Sequence, residues 1–161
     1  MESVPQIRSF RWLDLDRFTD LFNELNEISD TEKANDAELM RQILSQPSCK
    51  PEQDCFVAES AGSLVGFALI APELRIGRAV ASGGVLKPYR NRGLGRRLVK
   101  RSVEHAAELG ASVLHVSIPA TGESGHHILE TEGFHQVRRY WQMRWETGDV
   151  PALSVAPHAA Q

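Results

Sequence analysis

A glycine turn that joins a strand pattern to a long helical pattern constrains this chain more than any other feature. Arg78 to Leu86 reads as a strand, Arg90-Asn91-Arg92-Gly93-Leu94-Gly95 as the turn, and Leu94 to Leu109 as an amphipathic helix. Such a turn exposes several backbone N–H groups at the positive end of the helix dipole, a geometry that binds phosphate. Lys87, Arg90, Arg92, Arg96, Arg97, Lys100 and Arg101 crowd the same stretch with no acid among them. The pattern points to a diphosphate-bearing ligand, with Lys100 and Arg101 reading as the solvated face of the helix.

Two common phosphate loops do not fit. A Walker A loop requires Lys-Ser/Thr after its last glycine, and Gly95 is followed by Arg96 and Arg97. A dinucleotide fingerprint requires a third small residue, where Leu98 stands, and an acid about 20 residues on at the end of the next strand. That strand, Val113 to Ile118, ends in Pro119-Ala120-Thr121 instead.

What does fit is Arg-x-x-Gly-x-Gly. The segment from Val85 through Lys87-Pro88-Tyr89-Arg90-Asn91-Arg92-Gly93-Leu94-Gly95-Arg96-Arg97 to Val99 resembles the acyl-coenzyme A pyrophosphate loop of the Gcn5-related N-acetyltransferases. A lone Gly-x-Gly before a helix is usually an ordinary turn. Here the order strand, Pro-Tyr-Arg, Gly-x-Gly, amphipathic helix, strand carries the likeness. The resemblance implies acetyl-coenzyme A as co-substrate. It implies that the backbone of Val85 and Leu86 pairs with the pantetheine amides. Lys87, Arg90 and the run Asn91, Arg92, Gly93, Leu94, Gly95, Arg96 and Arg97 would then hold the diphosphate. Gly93 and Gly95 would let the backbone approach without a Cβ in the way.

The remaining elements follow from periodicity. Gln6 to Arg11 reads as a strand. Asp14 can cap a helix whose Leu15, Phe18, Leu21, Phe22, Leu25 and Ile28 share one face. Ser29 to Lys33 is a loop. Asn35 with Glu38 resembles a capping box before a second helix that Pro47 ends. Ser48 to Asp54 is a loop, Cys55 to Ser60 a strand, and Leu64 to Ala71 a central, nearly all-apolar strand. The long helix should bury Leu94, Leu98, Val99, Val103, Ala106 and Leu109 and end at Gly110. Ala111 to Ile118 is a strand, Gly125 to Glu132 a short helix, and Phe134 to Arg139 and Tyr140 to Trp145 a last strand pair. This is the element order of the acetyltransferase family. The expected architecture is an α/β (α+β) fold with a mixed sheet of about six to seven strands, splayed fourth and fifth strands and about four helices.

The 161 residues predict one domain, 1–147, and a Pro/Ala-rich tail or linker, 148–161. A net charge of −3 gives no bulk attraction to nucleic acid or acidic membrane, so the local basic cluster favours a small anionic ligand. No stretch approaches a membrane span, and the N-terminus lacks the pattern of a signal peptide. Cys49 and Cys55 have no zinc spacing and read as free thiols of a cytoplasmic protein, with a bridge between them left open by spacing alone.

The resemblance implies transfer of acetyl to a primary amine of a small molecule or peptide. Such transfer needs a proton acceptor for the amine and a donor for the oxyanion. The family often supplies a tyrosine acid four residues before a Gly-Phe. Gly133-Phe134 is present, but Leu129 holds the tyrosine position. Glu73, at the bend before the fourth strand, is the leading candidate base, with His126 next; His115, His127 and Glu123 are further candidates. The segment Gly133 to Arg144 also resembles the end of a domain in mycothiol synthase-like tandem acetyltransferases. Two readings result: an N-acetyltransferase, or an acyl-coenzyme A-binding module without turnover, such as a sensor or a degenerate tandem half. The family often dimerises, which makes a homodimer a candidate assembly. The loops from Ser29 to Asn35, Pro72 to Gly77 and Thr121 to His127 would line the acceptor site.

Overall fold

The computed structural model describes residues 4–26, 35–120, 122–141 and 143. Its elements run β1 (Gln6–Ser9), a 3-10 turn (Trp12–Asp14), α1 (Leu15–Leu25), α2 (Ala37–Leu44), α3 (Pro51–Asp54), β2 (Cys55–Ser60) and β3 (Ser63–Glu73). They continue with β4 (Arg78–Val85), α4 (Leu94–Glu108), β5 (Val113–Val116) and α5 (Glu123–Thr131). The sheet order is β1-β2-β3-β4-β5. β1 pairs antiparallel with β2 across the excursion that holds α1, α2 and α3. β2, β3 and β4 pair antiparallel through short turns, and β4 pairs parallel with β5 because α4 carries the chain back across the sheet.

Each sheet face buries its own core. On one face α4 sets Leu94, Leu98 and Ala106 against Phe56, Ala68 and Ile70. On the other, α1 and α2 set Phe18, Leu21 and Met40 against Val57 and Phe67, with the Phe18 and Phe67 rings edge to face at 5.1 Å. Each such buried side chain larger than alanine stabilises the fold by about 1.5–3 kcal/mol. Pro72 sits inside β3 at no cost to the ladder. Its nitrogen faces the β2 side, beyond the last β2 pair at Cys55–Leu69.

Several expectations are corrected. The described sheet has five strands, not six to seven. Residues 134–141 form no strand, and residues 142, 144 and 145 of the expected last pair lie outside the described residues, as do 148–161. In 134–139 Phe134 and Val137 fall on opposite faces of an extended chain, so neither face is continuously apolar, and Val137 is exposed. The described residues form five α-helices; the unexpected one is the single turn Pro51–Asp54, opened by a proline whose missing N–H costs nothing there.

The cap assignments also shift. Asp36, not Asn35, caps α2 and accepts from the Leu39 N–H at 2.8 Å, while Asn35 bonds the Asn23 side chain. Asp14 stands at the N-cap of α1 as expected, but its side chain makes no cap bond. Its carboxylate accepts from the Arg11 N–H and pairs with Arg8 and Arg17. The inward face of α4 carries Ser102 and His105 in place of Val103, which is exposed. His105 Nε2 meets buried Asp54 at 2.8 Å, so a partner on α3 satisfies it. Gly110 ends α4 and Gly133 follows α5, both at positive φ and both with the paired carbonyl bonds of a Schellman motif. Cys49 and Cys55 are both free. No helix among the described residues is long and apolar enough to cross a membrane.

Candidate functional site

The turn between β4 and α4 is shaped to present backbone donors. Asn91 and Gly93 both take positive φ, 58° and 77°, and Gly93 is the N-cap of α4 with no side-chain cap. The first helical bond runs from the Arg97 N–H to the Gly93 carbonyl at 3.1 Å. The N–H groups of Leu94, Gly95 and Arg96 therefore have no helical acceptor. Left-handed residues beside a helix N-terminus form a concave nest of N–H groups, which suits an anion.

The loop is braced from behind. Arg90 Nε donates to the Val85 carbonyl at 2.7 Å. The Leu86 N–H donates to the Val65 carbonyl at 2.9 Å, and the Leu86 carbonyl accepts from the Tyr89 N–H at 2.9 Å. The Leu86 N–H is thus spent on β3, while its carbonyl keeps a second lone pair for a ligand amide.

The register identifies which backbone groups are available. The Leu86–Val65 bond fixes the alternation along β4, so residues 79, 81, 83 and 85 direct their N–H and C=O groups toward β5. Pairing with β5 covers Arg78–Val113 to Ala81–Val116 and then stops, while β4 continues to Val85. The two strands part at that point. Gly83 N–H, Gly83 C=O and Val85 N–H line the opening, and the Val85 carbonyl is held by Arg90. Sequence reasoning missed Gly83, although the Gly83-Gly84 pair inside a strand was a usable signal. A Cβ on Gly83 would run into the Phe67 carbonyl, and one on Gly84 would meet Leu25 at 3.3 Å.

The basic residues divide. Arg90 braces the loop. Arg96 pairs with Glu132 of the α5 end at 2.8 Å, and Arg97 donates to the Pro5 carbonyl at 2.9 Å. Arg101 pairs with Glu108 at 3.1 Å. Gly95 has a packing role, because a Cβ there would stand 3.1 Å from Ile128 Cδ1 of α5. Gly93 has open space around it and is required by its φ alone.

The titratable candidates are spread out. Glu73 closes the β3–β4 hairpin in an ion pair with Arg78, its register partner. That position lies about 10 Å along the strand from Ala81, where the opening begins, and about 23 Å from Val85. His126 lies in the first turn of α5, and its Nε2 is buried without a hydrogen-bond partner. Leu129 is one turn further along α5 and half-buried. His115 is paired in β5 opposite Val80, while Glu123 and His127 are exposed. Burial raises the pKa of the Cys55 thiol, and of Cys49 to a lesser depth of burial, which keeps both poor nucleophiles. Among the described residues no His, Cys, Asp and Glu group is placed to hold a metal ion.

This chain belongs to the Acetyltransferase (GNAT) family, which its residues 13–134 match. It is similar to the solved ribosomal-protein-alanine N-acetyltransferase from Brucella melitensis, with 26% identity over 83% of this chain and 86% of that one and a TM-score of 0.70. An N-acetyltransferase from Staphylococcus aureus Mu50 shares the fold at 21% identity, with a TM-score of 0.70 over 82% of this chain and 84% of that one. A protein from Salmonella typhimurium, solved with its cofactor acetyl-CoA, does so at 20% identity, with a TM-score of 0.64 over 83% and 80%. No curated protein matches the sequence. The family match ends at residue 134, so the likeness of Gly133 to Arg144 to mycothiol synthase-like tandem proteins rests on those residues alone.

Proposed function

We propose that this protein is an N-acetyltransferase that moves acetyl from acetyl-coenzyme A to a primary amine of a small molecule or peptide. The observation that carries the reading is one continuous surface, in which the N–H nest of Asn91 to Arg96 adjoins the open β4 edge at Val85 and Gly83. A diphosphate fits the nest, and the amides of an extended pantetheine arm fit the strand edge. Gly83 joins Val85 and the Leu86 carbonyl as a backbone partner for the arm.

The acyl group then lies where β4 and β5 part. In a ternary complex the neutral amine attacks the thioester carbonyl, the C–S bond breaks, and the thiolate takes up a proton. A backbone N–H of the open strand is placed to stabilise the oxyanion. Two side chains are proposed to handle protons. His126 is supported by its unpartnered, buried Nε2. A neutral imidazole is a suitable base near pH 7. Glu73 is supported by its place at the bend before β4, but serving as base would require it to leave Arg78.

A second reading, an acyl-coenzyme A-binding module or degenerate tandem half, draws on Leu129 and on the absence of any carboxylate in β4. The two are separated by measuring free thiol released from acetyl-coenzyme A with a panel of primary amines. Amine-dependent release establishes the enzyme. Coenzyme binding without release across the panel favours the module.

A further inference from the structure

Beside α4, where Phe56 of β2 is buried under the Arg101 guanidinium, the half-buried face of β1 is left partly open. It forms a groove of about 490 Å³, floored by Ile7 and Phe56 and walled by Arg97, Lys100, Arg101 and Glu104. Two independent features meet there.

The first is a strand edge. β1 is the outermost strand. The Phe10 N–H bond to the Cys55 carbonyl, 2.8 Å, fixes the alternation: residues 6, 8 and 10 face β2, whereas Pro5, Ile7 and Ser9 turn their backbone groups outward. The Pro5 carbonyl accepts from Arg97 at 2.9 Å and the Ser9 carbonyl from Arg8 at 3.1 Å. The Ile7 N–H and C=O and the Ser9 N–H remain without a strand partner among the described residues. Arg97 itself spans from α4 to this edge, so the helix face and the strand edge belong to one surface.

The second feature is charge. Arg8 is committed to Asp14 and Glu59, and Arg101 to Glu104 and Glu108 with its guanidinium 4.5 Å over Phe56. Lys100 has no carboxylate partner among the described residues, and Arg97 has only a carbonyl. Uncompensated positive charge therefore flanks an open strand edge.

We infer that this groove binds an extended acidic peptide. The peptide adds a strand to β1 through Ile7 and sets carboxylates against Lys100 and Arg97. A small anion satisfies the charges but not the edge, and an uncharged strand satisfies the edge but not the charges. The inference does not depend on the acetyltransferase reading.

The test uses the full chain at low ionic strength with two fluorescein-labelled hexapeptides, Val-Glu-Val-Glu-Val-Glu and Val-Lys-Val-Lys-Val-Lys, in polarisation titrations. Amide hydrogen exchange is followed in parallel. The acidic peptide should bind and slow exchange at Ile7 and Ser9, and the lysine peptide should not. Lys100→Glu should weaken binding about fivefold, and Glu104→Lys should strengthen it by a similar factor. Thermal melting of both variants should match the parent, which separates a lost site from a lost fold. Equal binding of the two peptides, no response to Lys100→Glu, or unchanged exchange at Ile7 overturns the proposal. Full competition by tripolyphosphate with fast exchange at Ile7 shows a bare anion patch and overturns it as well.

Discussion

Arg90 reaches back to the end of β4, where its Nε donates to the Val85 carbonyl at 2.7 Å. The residue that the motif assigns to the ligand also closes the loop proposed to bind it. A charged donor to a carbonyl contributes about 1.5–3 kcal/mol. Arg90→Met should therefore lower the melting temperature of the free protein and weaken acetyl-coenzyme A binding about tenfold, read by calorimetric titration. If Arg90 served only the ligand, the melting of the free protein would not move.

Gly93 and Gly95 should respond differently to the same substitution. Gly93 has φ of 77° and nothing within 4 Å of an added Cβ, so Gly93→Ala carries only a conformational cost of about 1–2 kcal/mol, and Gly93→Asn recovers part of it. At Gly95 an added Cβ meets Ile128 at 3.1 Å, so Gly95→Ala strains the α4–α5 contact. Ile128→Ala should relieve that strain. Denaturant unfolding of the double-mutant cycle should show coupling for Gly95 with Ile128 and none for Gly93 with Ile128.

Acid stability should depend on Asp14. The Arg8 guanidinium bonded to its carboxylate lowers its pKa from 3.8 to about 2. The folded value lies below the unfolded one. The stability it contributes is therefore complete above about pH 5 and is lost as pH falls through about 2. The shift corresponds to about 2 kcal/mol. Asp14→Asn should lose about that much at pH 7 and flatten the stability curve between pH 5 and 2, as followed by urea unfolding at stepped pH.

Kinetics should separate the two proton-handling candidates. His126→Gln is expected to lower kcat about a hundredfold at neutral pH while leaving coenzyme affinity within about twofold. Glu73→Gln should leave the pH–rate profile in place and reduce stability by less than about 1 kcal/mol, the value of an exposed ion pair. Loss of the acidic limb in Glu73→Gln would assign the base to Glu73 instead.

The parts of the fold legible in the sequence are those set by neighbours in the chain. The strand, glycine turn and helix from Arg78 to Glu108 follow from periodicity and from glycines at positive φ, and Gly110 stops α4 as its position implies. What was not legible depends on remote partners. Nothing near Arg96 or Arg97 in sequence announces Glu132 or Pro5, and His105 is buried only because Asp54 arrives from α3. The β3 register places Val65 against the Leu86 N–H, and the same register turns Gly83 toward the opening. In the first strand of the expected last pair, Phe134 and Val137 fall on opposite faces, so neither face offers a continuous apolar surface.

The most direct test of the account is thermal melting of the protein titrated with acetyl-coenzyme A, with ATP and NAD as controls. Ligand at about 100 times its dissociation constant adds about 2.7 kcal/mol of stability. For a chain of this length that is a rise of about 5–10 °C. The account predicts that rise for acetyl-coenzyme A, little for ATP or NAD, and a sharply reduced rise in Gly93→Val. An equal response to all three ligands, or none to acetyl-coenzyme A, would contradict the assignment of the nest and the open β4 edge to the coenzyme.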